Sequence, residues 1–128
     1  MSYKNIDDVI TENFKLITNK KENLLEISLM GSFDIEDPFI LIEPFFNNID
    51  NIAYNENIAK VQINTLELFF INSSTIKCII KWIVKSSRGK ERQSYYIDFI
   101  INKNLLWQMQ SFEYLKFLSN ERINIVKI

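Results

Sequence analysis

The sequence predicts one α/β domain, a singly wound β-α sandwich in which a mixed, mostly parallel sheet of about five strands carries three helices on one face. The candidate elements follow the order β-β-α-β-α-β-α-β along 128 residues, which suits a single domain over residues 1–128. Strands separated by helices imply parallel pairing through right-handed crossovers. Hydrophobic residues make up 47 % of the chain, enough for a substantial core.

The polar residues within the strands indicate that the helices share one face of the sheet. Strands that are buried on both faces read as almost continuous apolar runs. In this chain polar residues instead interrupt the strands at period two, which leaves the second face of the sheet wet; they are Glu26, Ser28, Gln62, Asn64, Asp98 and Asn124.

The first half of the chain predicts a hairpin and then a helix. Residues 14–18 alternate like a strand, and residues 19–23 form a link too short for a parallel crossover. Residues 24–33 form the second strand, with alternate residues pointing inward. Asp37 and Pro38 are typical of a helix start, as cap and first helical residue. Pro44 implies either a kink or a helix that begins near Ile42.

The second half repeats the strand–helix unit. Residues 60–66 alternate as a strand, and residues 67–71 extend it to a polar turn. A helix follows over residues 73–87, then a charged loop over residues 86–94. Residues 95–102 form a strand, residues 107–119 a helix and residues 122–128 a last strand, each with apolar residues at the matching period.

Composition narrows the classes of function. The net charge of −1 gives no case for nucleic-acid binding, which needs a basic surplus. The chain has no histidine, the commonest general base and metal ligand, so we expect no enzyme, no catalytic residue, no cofactor and no metal. Cys78 alone cannot form an internal disulfide, which fits the cytoplasm. No apolar run approaches the ~20 residues that span a bilayer.

The stretch over residues 68–77, which reads as the end of a buried strand, a polar turn and the first turn of a helix, holds the candidate site. Asn72 or Ser73 can cap the following helix, which places Ser74 and Thr75 in its first turn. A phosphate there would meet the positive end of the helix dipole. Sites in α/β units form after the carboxyl ends of strands, so Asp34, after the second strand, is expected near Ser74 if those strands are neighbours.

Each feature of this turn also has a purely structural interpretation, which the spacing alone favours. Serine and asparagine before an apolar helix are ordinary caps. Lys77, Lys81 and Lys85 recur at every fourth position, and a solvated helix face explains them better than a phosphate-binding ridge. A nucleophilic serine would need a base, and no spacing supplies one.

Two short motifs resemble the STAS domain, the fold of anti-sigma factor antagonists and of sulphate-transporter tails. The family's Asp-Ser-Ser-Gly turn, between a hydrophobic strand and an apolar helix, is similar to Asn72-Ser73-Ser74-Thr75, and its Gly-x-Leu-Asp is similar to Gly31-Ser32-Phe33-Asp34. The resemblance covers residues 14–128 in element order. Asn72 and Thr75 depart from the family's Asp and Gly, and the family's usual final helix is absent. Trp107-Gln108 suggests a narrower bacterial branch.

The resemblance implies a bacterial signalling regulator that binds a protein partner, such as a serine kinase of the anti-sigma type, and that is switched by phosphorylation. Ser74 matches the phosphorylated serine, with Ser73 and Thr75 as the next candidates. Asp34, Asn72, Ser73, Thr75 and Lys77 would lie near the phosphate or the partner. The alternative is a STAS-like interaction or scaffold module without phosphorylation. A homodimer through the wet sheet face or the edge strands stays open.

Overall fold

A mixed sheet of seven strands, with three α-helices packed against it, is the framework of the described chain. The computed structural model describes residues 8–87, 95–118 and 122–128. In these ranges the elements are β1 Val9–Ile10, β2 Phe14–Lys21, β3 Leu24–Phe33, α1 Pro38–Asn55, β4 Lys60–Asn64, β5 Leu68–Ile71, α2 Ser73–Ser87, β6 Tyr96–Ile101, α3 Leu106–Phe112, a 3₁₀ helix Glu113–Leu118 and β7 Ile123–Lys127.

The α/β class is confirmed, but the prediction of about five strands is wrong, because the described sheet has seven. β1 is an extra strand in the segment that precedes the first predicted strand. The predicted strand and its extension over residues 60–71 are two separate strands, β4 and β5. The third predicted helix is shorter than expected and continues as the 3₁₀ helix.

The helix starts follow local capping signals. The Asp37 side chain accepts a hydrogen bond from the Phe39 amide at 3.2 Å, and Pro38 takes the first helical position of α1. α1 starts at Pro38 rather than near Ile42, and it continues past Pro44 to Asn55. α2 spans the predicted residues, Ser73–Ser87.

The strand order places β3 at the centre of the candidate site. The strands run β1-β2-β3-β4-β6-β7. The β1–β2 and β2–β3 pairs are antiparallel, and the β3–β4, β4–β6 and β6–β7 pairs are parallel. β4 pairs with the first half of β3, over residues 24–28, and β5 pairs with its end, over residues 31–33. β4 and β5 therefore lie end to end beside the same strand.

A β-bulge at this junction decides which residues of β5 face solvent. Leu68 pairs with Gly31 and Phe70 with Ser32, so β5 has one extra residue, Phe69. Leu68 and Ile71 are consequently both buried although they are three positions apart, while the two phenylalanines between them are exposed. Gly31 has φ +93°, and a Cβ there would overlap the Asn13 carbonyl oxygen. Glycine is required by both the backbone angle and the space.

One hydrophobic core joins the sheet to all three helices. It contains alternate residues of the central strands together with apolar residues such as Phe46 of α1, Ile79 of α2 and Phe112 of α3. The intervening strand residues Glu26, Gln62 and Asp98 are only partly buried. This alternation is the pattern expected when one face of the sheet packs on helices and the other meets water.

Part of the predicted organisation lies outside the described residues. Residues 86 and 87 of the predicted charged loop belong to α2, and its residues 88–94 are outside the described ranges, as are residues 1–7 of the lead-in and residues 119–121. Within the ranges that are described, no helix has the length and apolar character needed to cross a membrane.

Candidate functional site

The start of β5, the strand that leads to the candidate site, is held by a buried glutamine from another part of the chain. Gln108 in α3 is 0 % exposed. Its Nε2 donates to the carbonyl oxygens of Thr65 at 2.7 Å and Leu68 at 2.9 Å. Its Oε1 accepts from the Asn102 amide at 2.8 Å and from the Thr65 hydroxyl at 3.2 Å. The side chain therefore holds the break between β4 and β5 in place.

Asn72 connects the two loops that the sequence predicts to form the site. Its backbone amide donates to the Phe33 carbonyl at 2.9 Å, and its Nδ2 donates to the Ile35 carbonyl at 2.8 Å. Its Oδ1 accepts from the Thr75 amide at 3.0 Å and also from the Thr75 hydroxyl. Asn72 is thus the cap of α2, and its amide group ties that helix to the loop after β3.

The three hydroxyl residues after Asn72 have different environments. Ser73 is exposed and Ser74 is half-buried, whereas Thr75 is 1 % exposed. Within the described ranges neither the Ser73 nor the Ser74 hydroxyl has a hydrogen-bond partner. The Thr75 hydroxyl is bonded to Asn72 and enclosed, so it can be modified only if the corner between β5 and α2 opens.

The strands that carry the two loops are neighbours, which was the condition set for Asp34 to approach Ser74. Phe33 of β3 pairs with Ile71 of β5, and the next residues along the two strands are Asp34 and Asn72. Asp34 and Lys77 are both exposed. The corner therefore presents a carboxylate, an ammonium group and two serine hydroxyls at the carboxyl end of β3 and β5.

Lys81 and Lys85, the other two lysines that recur at every fourth position of α2, contact side chains of α1. Lys81 Nζ lies 2.7 Å from Glu43 Oε2, and Lys85 Nζ lies 3.2 Å from Asn47 Oδ1. These pairs border a cleft of about 200 Å³ between the two helices. At its base Cys78 is buried, and this burial, with a smaller contribution from Glu43, raises the pKa of its thiol. The thiol is accordingly a poor nucleophile.

The structure also contains a buried polar chain that was not predicted from the sequence. Trp82 Nε1 donates to the Tyr95 hydroxyl at 2.9 Å, and that hydroxyl donates to Asp50 Oδ1 at 2.8 Å. Burial, followed by the charge of Asp50, raises the pKa of Tyr95, so it remains a neutral donor. Asp50 occupies a buried position of α1 among apolar residues. An acidic residue at such a position was the one sign in the sequence that a buried polar contact is present.

Within the described residues, the polar groups of the corner do not form a recognised catalytic or metal-binding pattern. In the described ranges neither serine hydroxyl is hydrogen-bonded to a group that could act as its base, and no group of three His, Cys, Asp or Glu there is arranged to hold a metal. A hydroxyl at the start of a 15-residue helix can nevertheless accept a phosphate from another enzyme.

Comparison with known proteins does not assign the chain to a family. No protein-family model matches the sequence, and no curated protein matches it either.

Proposed function

We propose that this protein is a signalling regulator of the STAS type that binds a partner protein, and that phosphorylation of Ser74 changes its affinity for that partner. The observation that carries the proposal is the arrangement at Asn72, which fixes the start of α2 against the loop after β3. The Ser73 and Ser74 hydroxyls are left without hydrogen bonds among the described residues, while Thr75 is enclosed.

The environment of Ser74 suits a phosphate acceptor. It lies in the first turn of α2, where backbone N–H groups lack partners within the helix and the dipole favours negative charge. α2 has no acidic residue in that turn. A phosphate at Ser74 can therefore form without loss of the Asn72 cap, and it would change the charge of a surface that already contains Asp34 and Lys77.

The second candidate is a binding module that is not phosphorylated. In that case Ser74 is an ordinary first-turn residue, and its hydroxyl contributes neither to capping nor to recognition. The contacts of the helix cap are compatible with this alternative. Asn72 Oδ1 accepts from the amide and the hydroxyl of Thr75, and neither serine takes part in these two bonds.

The experiment compares wild type with Ser74→Ala, Ser74→Asp and Ser73→Ala, each purified from the native cells for phosphosite mapping and partner affinity. We expect phosphate on Ser74, loss of that phosphate in Ser74→Ala, and a partner affinity in Ser74→Asp that differs from wild type by about tenfold. Ser73→Ala separates the two candidate serines, because it should keep the phosphate if Ser74 is the modified residue and lose it if Ser73 is. An unphosphorylated wild type with equal partner affinity in all four proteins would establish the second candidate instead.

A further inference from the structure

The two edges of the described sheet differ in how far they are protected. At one edge β1 has only two residues, and beyond it the Thr18 amide of β2 donates to the Asp8 carboxylate at 2.8 Å. At the other edge β7 has five residues, and among the described residues no strand pairs with its outer side. Proteins commonly protect a sheet edge by shortening it or by placing charges on it, because an open edge pairs with other strands. The first edge has both kinds of protection, whereas β7 carries a charge only at its last residue, Lys127.

The hydrogen bonds between β6 and β7 show which backbone groups of β7 point outward. The Arg122 carbonyl accepts from the Ile97 amide at 2.8 Å, and the Ile128 amide donates to the Ile101 carbonyl at 3.0 Å. Backbone groups of successive residues in a strand point to alternate sides, so the even-numbered residues of β7 face β6. Residues 123, 125 and 127 therefore direct their N–H and C=O groups away from the sheet. Within the described ranges none of these outward groups is hydrogen-bonded.

The side chain in the middle of β7 is also incompletely covered. Ile125 pairs in register with Phe99, a fully buried core residue, and so points to the side of the sheet on which the helices pack. Ile125 packs against the core but is only partly buried. Ile123, nearer the start of the strand, is buried. A further strand beside β7 would cover the flank of Ile125 and pair the outward backbone groups.

We propose that this strand is β7 of a second copy of the chain, paired antiparallel across a two-fold axis so that the two sheets become one. The axis passes beside Ile125, which lies opposite Ile125 of the second copy. Ile123 then lies opposite Lys127 of the second copy. In this register every outward residue of β7 exchanges two hydrogen bonds with the residue opposite it, whereas a shift of the axis by one residue leaves outward groups at one end of the strand unpaired.

The charges and the second edge both favour a closed dimer. Like charges directly opposite each other destabilise a strand pair. In the proposed register Lys127 lies opposite an isoleucine, and Arg122 lies opposite Ile128 of the second copy, so no such pair arises. A two-fold interface uses the same surface on both copies and closes after two chains. Because the edge at β1 is protected, the joined sheet should not extend further.

The edge is short, and the expected affinity is correspondingly low. A strand of five residues offers less surface than the about 800 Å² per partner of a standard interface, so we expect a dissociation constant of about 10–100 µM. In the strand order β7 is separated from β3 by β4 and β6. The inference therefore goes beyond the proposed function and does not depend on phosphorylation of Ser74.

Sedimentation equilibrium and amide hydrogen exchange test the dimer in the purified full chain. Sedimentation from about 5 to 500 µM, which brackets the expected dissociation constant, should show a monomer–dimer equilibrium. In NMR exchange measurements at the highest concentration, the amides of Ile123, Ile125 and Lys127 should exchange at least about tenfold more slowly than at the lowest. The amides of Asn124 and Val126 face β6 and are the internal control; their exchange should change by less than about twofold.

Substitutions at the axis give a second test. Ile125→Pro removes an outward N–H but no hydrogen bond to β6, so it should weaken the dimer at least about tenfold. Ile125→Lys and Ile125→Glu each set like charges opposite each other and should also weaken it at least about tenfold, while an equimolar mixture of the two should recover at least about tenfold in affinity. Ile10→Lys, at a residue 63 % exposed on the opposite edge strand, is the matched control and should dimerise within about twofold of wild type.

Several results would overturn the proposal. A chain that stays monomeric at every concentration would do so, as would equal dimerisation of wild type and Ile125→Pro, or loss of the dimer in Ile10→Lys. Slowed exchange centred on Gln62 and Asp98 would place the second copy on the open face of the sheet instead. A mixture of Ile125→Lys and Ile125→Glu that associates no better than either alone would refute the two-fold register. If circular dichroism shows that the Ile125 variants do not fold, the exchange pattern of wild type decides the question.

Discussion

Gln108 should be the most sensitive polar residue of the described fold, and Gln108→Leu removes its amide while nearly conserving volume. The amide makes four hydrogen bonds in a fully buried position. After the substitution the Thr65 carbonyl keeps the Leu68 amide as a donor, and the Thr65 hydroxyl keeps the Ile100 carbonyl as an acceptor. The loss therefore falls on the Leu68 carbonyl and the Asn102 amide.

The expected cost follows from those two groups. A buried donor or acceptor that loses its partner costs about 1–3 kcal/mol, so two of them cost about 4 kcal/mol. The apolar leucine side chain recovers about 1 kcal/mol through burial of its extra apolar surface. We therefore expect Gln108→Leu to lower the free energy of unfolding by about 3 kcal/mol, a large part of the roughly 5–15 kcal/mol that is typical of a domain.

Urea denaturation followed by tryptophan fluorescence and circular dichroism measures this change, provided that the m-value is unchanged. Gln110→Leu is the matched control, because Gln110 is exposed two positions along the same helix. It should change stability by less than about 0.5 kcal/mol. If Gln108→Leu costs no more than Gln110→Leu, the glutamine does not hold the break between β4 and β5, and the reasoning is refuted.

Gln108→Glu tests the direction of the hydrogen bonds. The introduced carboxyl group keeps an acceptor for the Asn102 amide, but only its protonated form can donate, and its single O–H can reach one of the two carbonyls, of Thr65 or of Leu68, that the amide bonds in wild type. Folding should therefore raise the pKa of this carboxyl group above the unfolded value of about 4.3. The stability of the variant relative to wild type should be greatest below about pH 4 and should fall as pH rises through the folded pKa. A pH-independent difference would contradict the assigned bonds.

Two further substitutions test other polar contacts by urea denaturation. Asn72→Ala should lower the free energy of unfolding by about 2 kcal/mol, since it removes the cap of α2 and the bond to the Ile35 carbonyl. Asn72→Asp keeps the capping oxygen and should lower it by about 1 kcal/mol. Equal losses in the two variants would contradict this assignment. Tyr95→Phe should cost about 2 kcal/mol at pH 7, because Asp50 loses a donor. The stability advantage of wild type over Tyr95→Phe should shrink as pH rises above about 10. There the unfolded tyrosine ionises, while the folded one, with its raised pKa, stays neutral. A stability difference that stays constant from about pH 7 to about pH 11 would contradict the assigned hydrogen bond.

The sequence predicted those elements whose signals are local. The apolar alternation of residues 24–33 and the 3–4 spacing after Ser73 gave the bounds of β3 and α2 as the structure has them. Asp37 and Pro38 marked the start of α1 because capping and proline placement depend on adjacent residues only. These signals do not depend on which segments meet in space.

The break between β4 and β5 could not be predicted in the same way. Residues 60–71 read as one extended segment, and the residue that divides it, Gln108, lies about 40 positions later in the chain. The bulge that exposes Phe69 and Phe70 likewise depends on the register with β3. Asp50 and Tyr95 meet for the same reason, 45 positions apart.

The same distinction between local signals and tertiary contacts applies to the candidate site. The sequence by itself determined that Asn72, Ser73, Ser74 and Thr75 form the start of a helix after a strand, because polar caps and apolar periodicity are properties of neighbouring residues. Only the tertiary structure decided that Thr75 is enclosed, that Ser73 is open, and that Asn72 is bonded to the loop that contains Ile35. Burial and cross-strand contacts arise from residues that the chain brings together only when it folds.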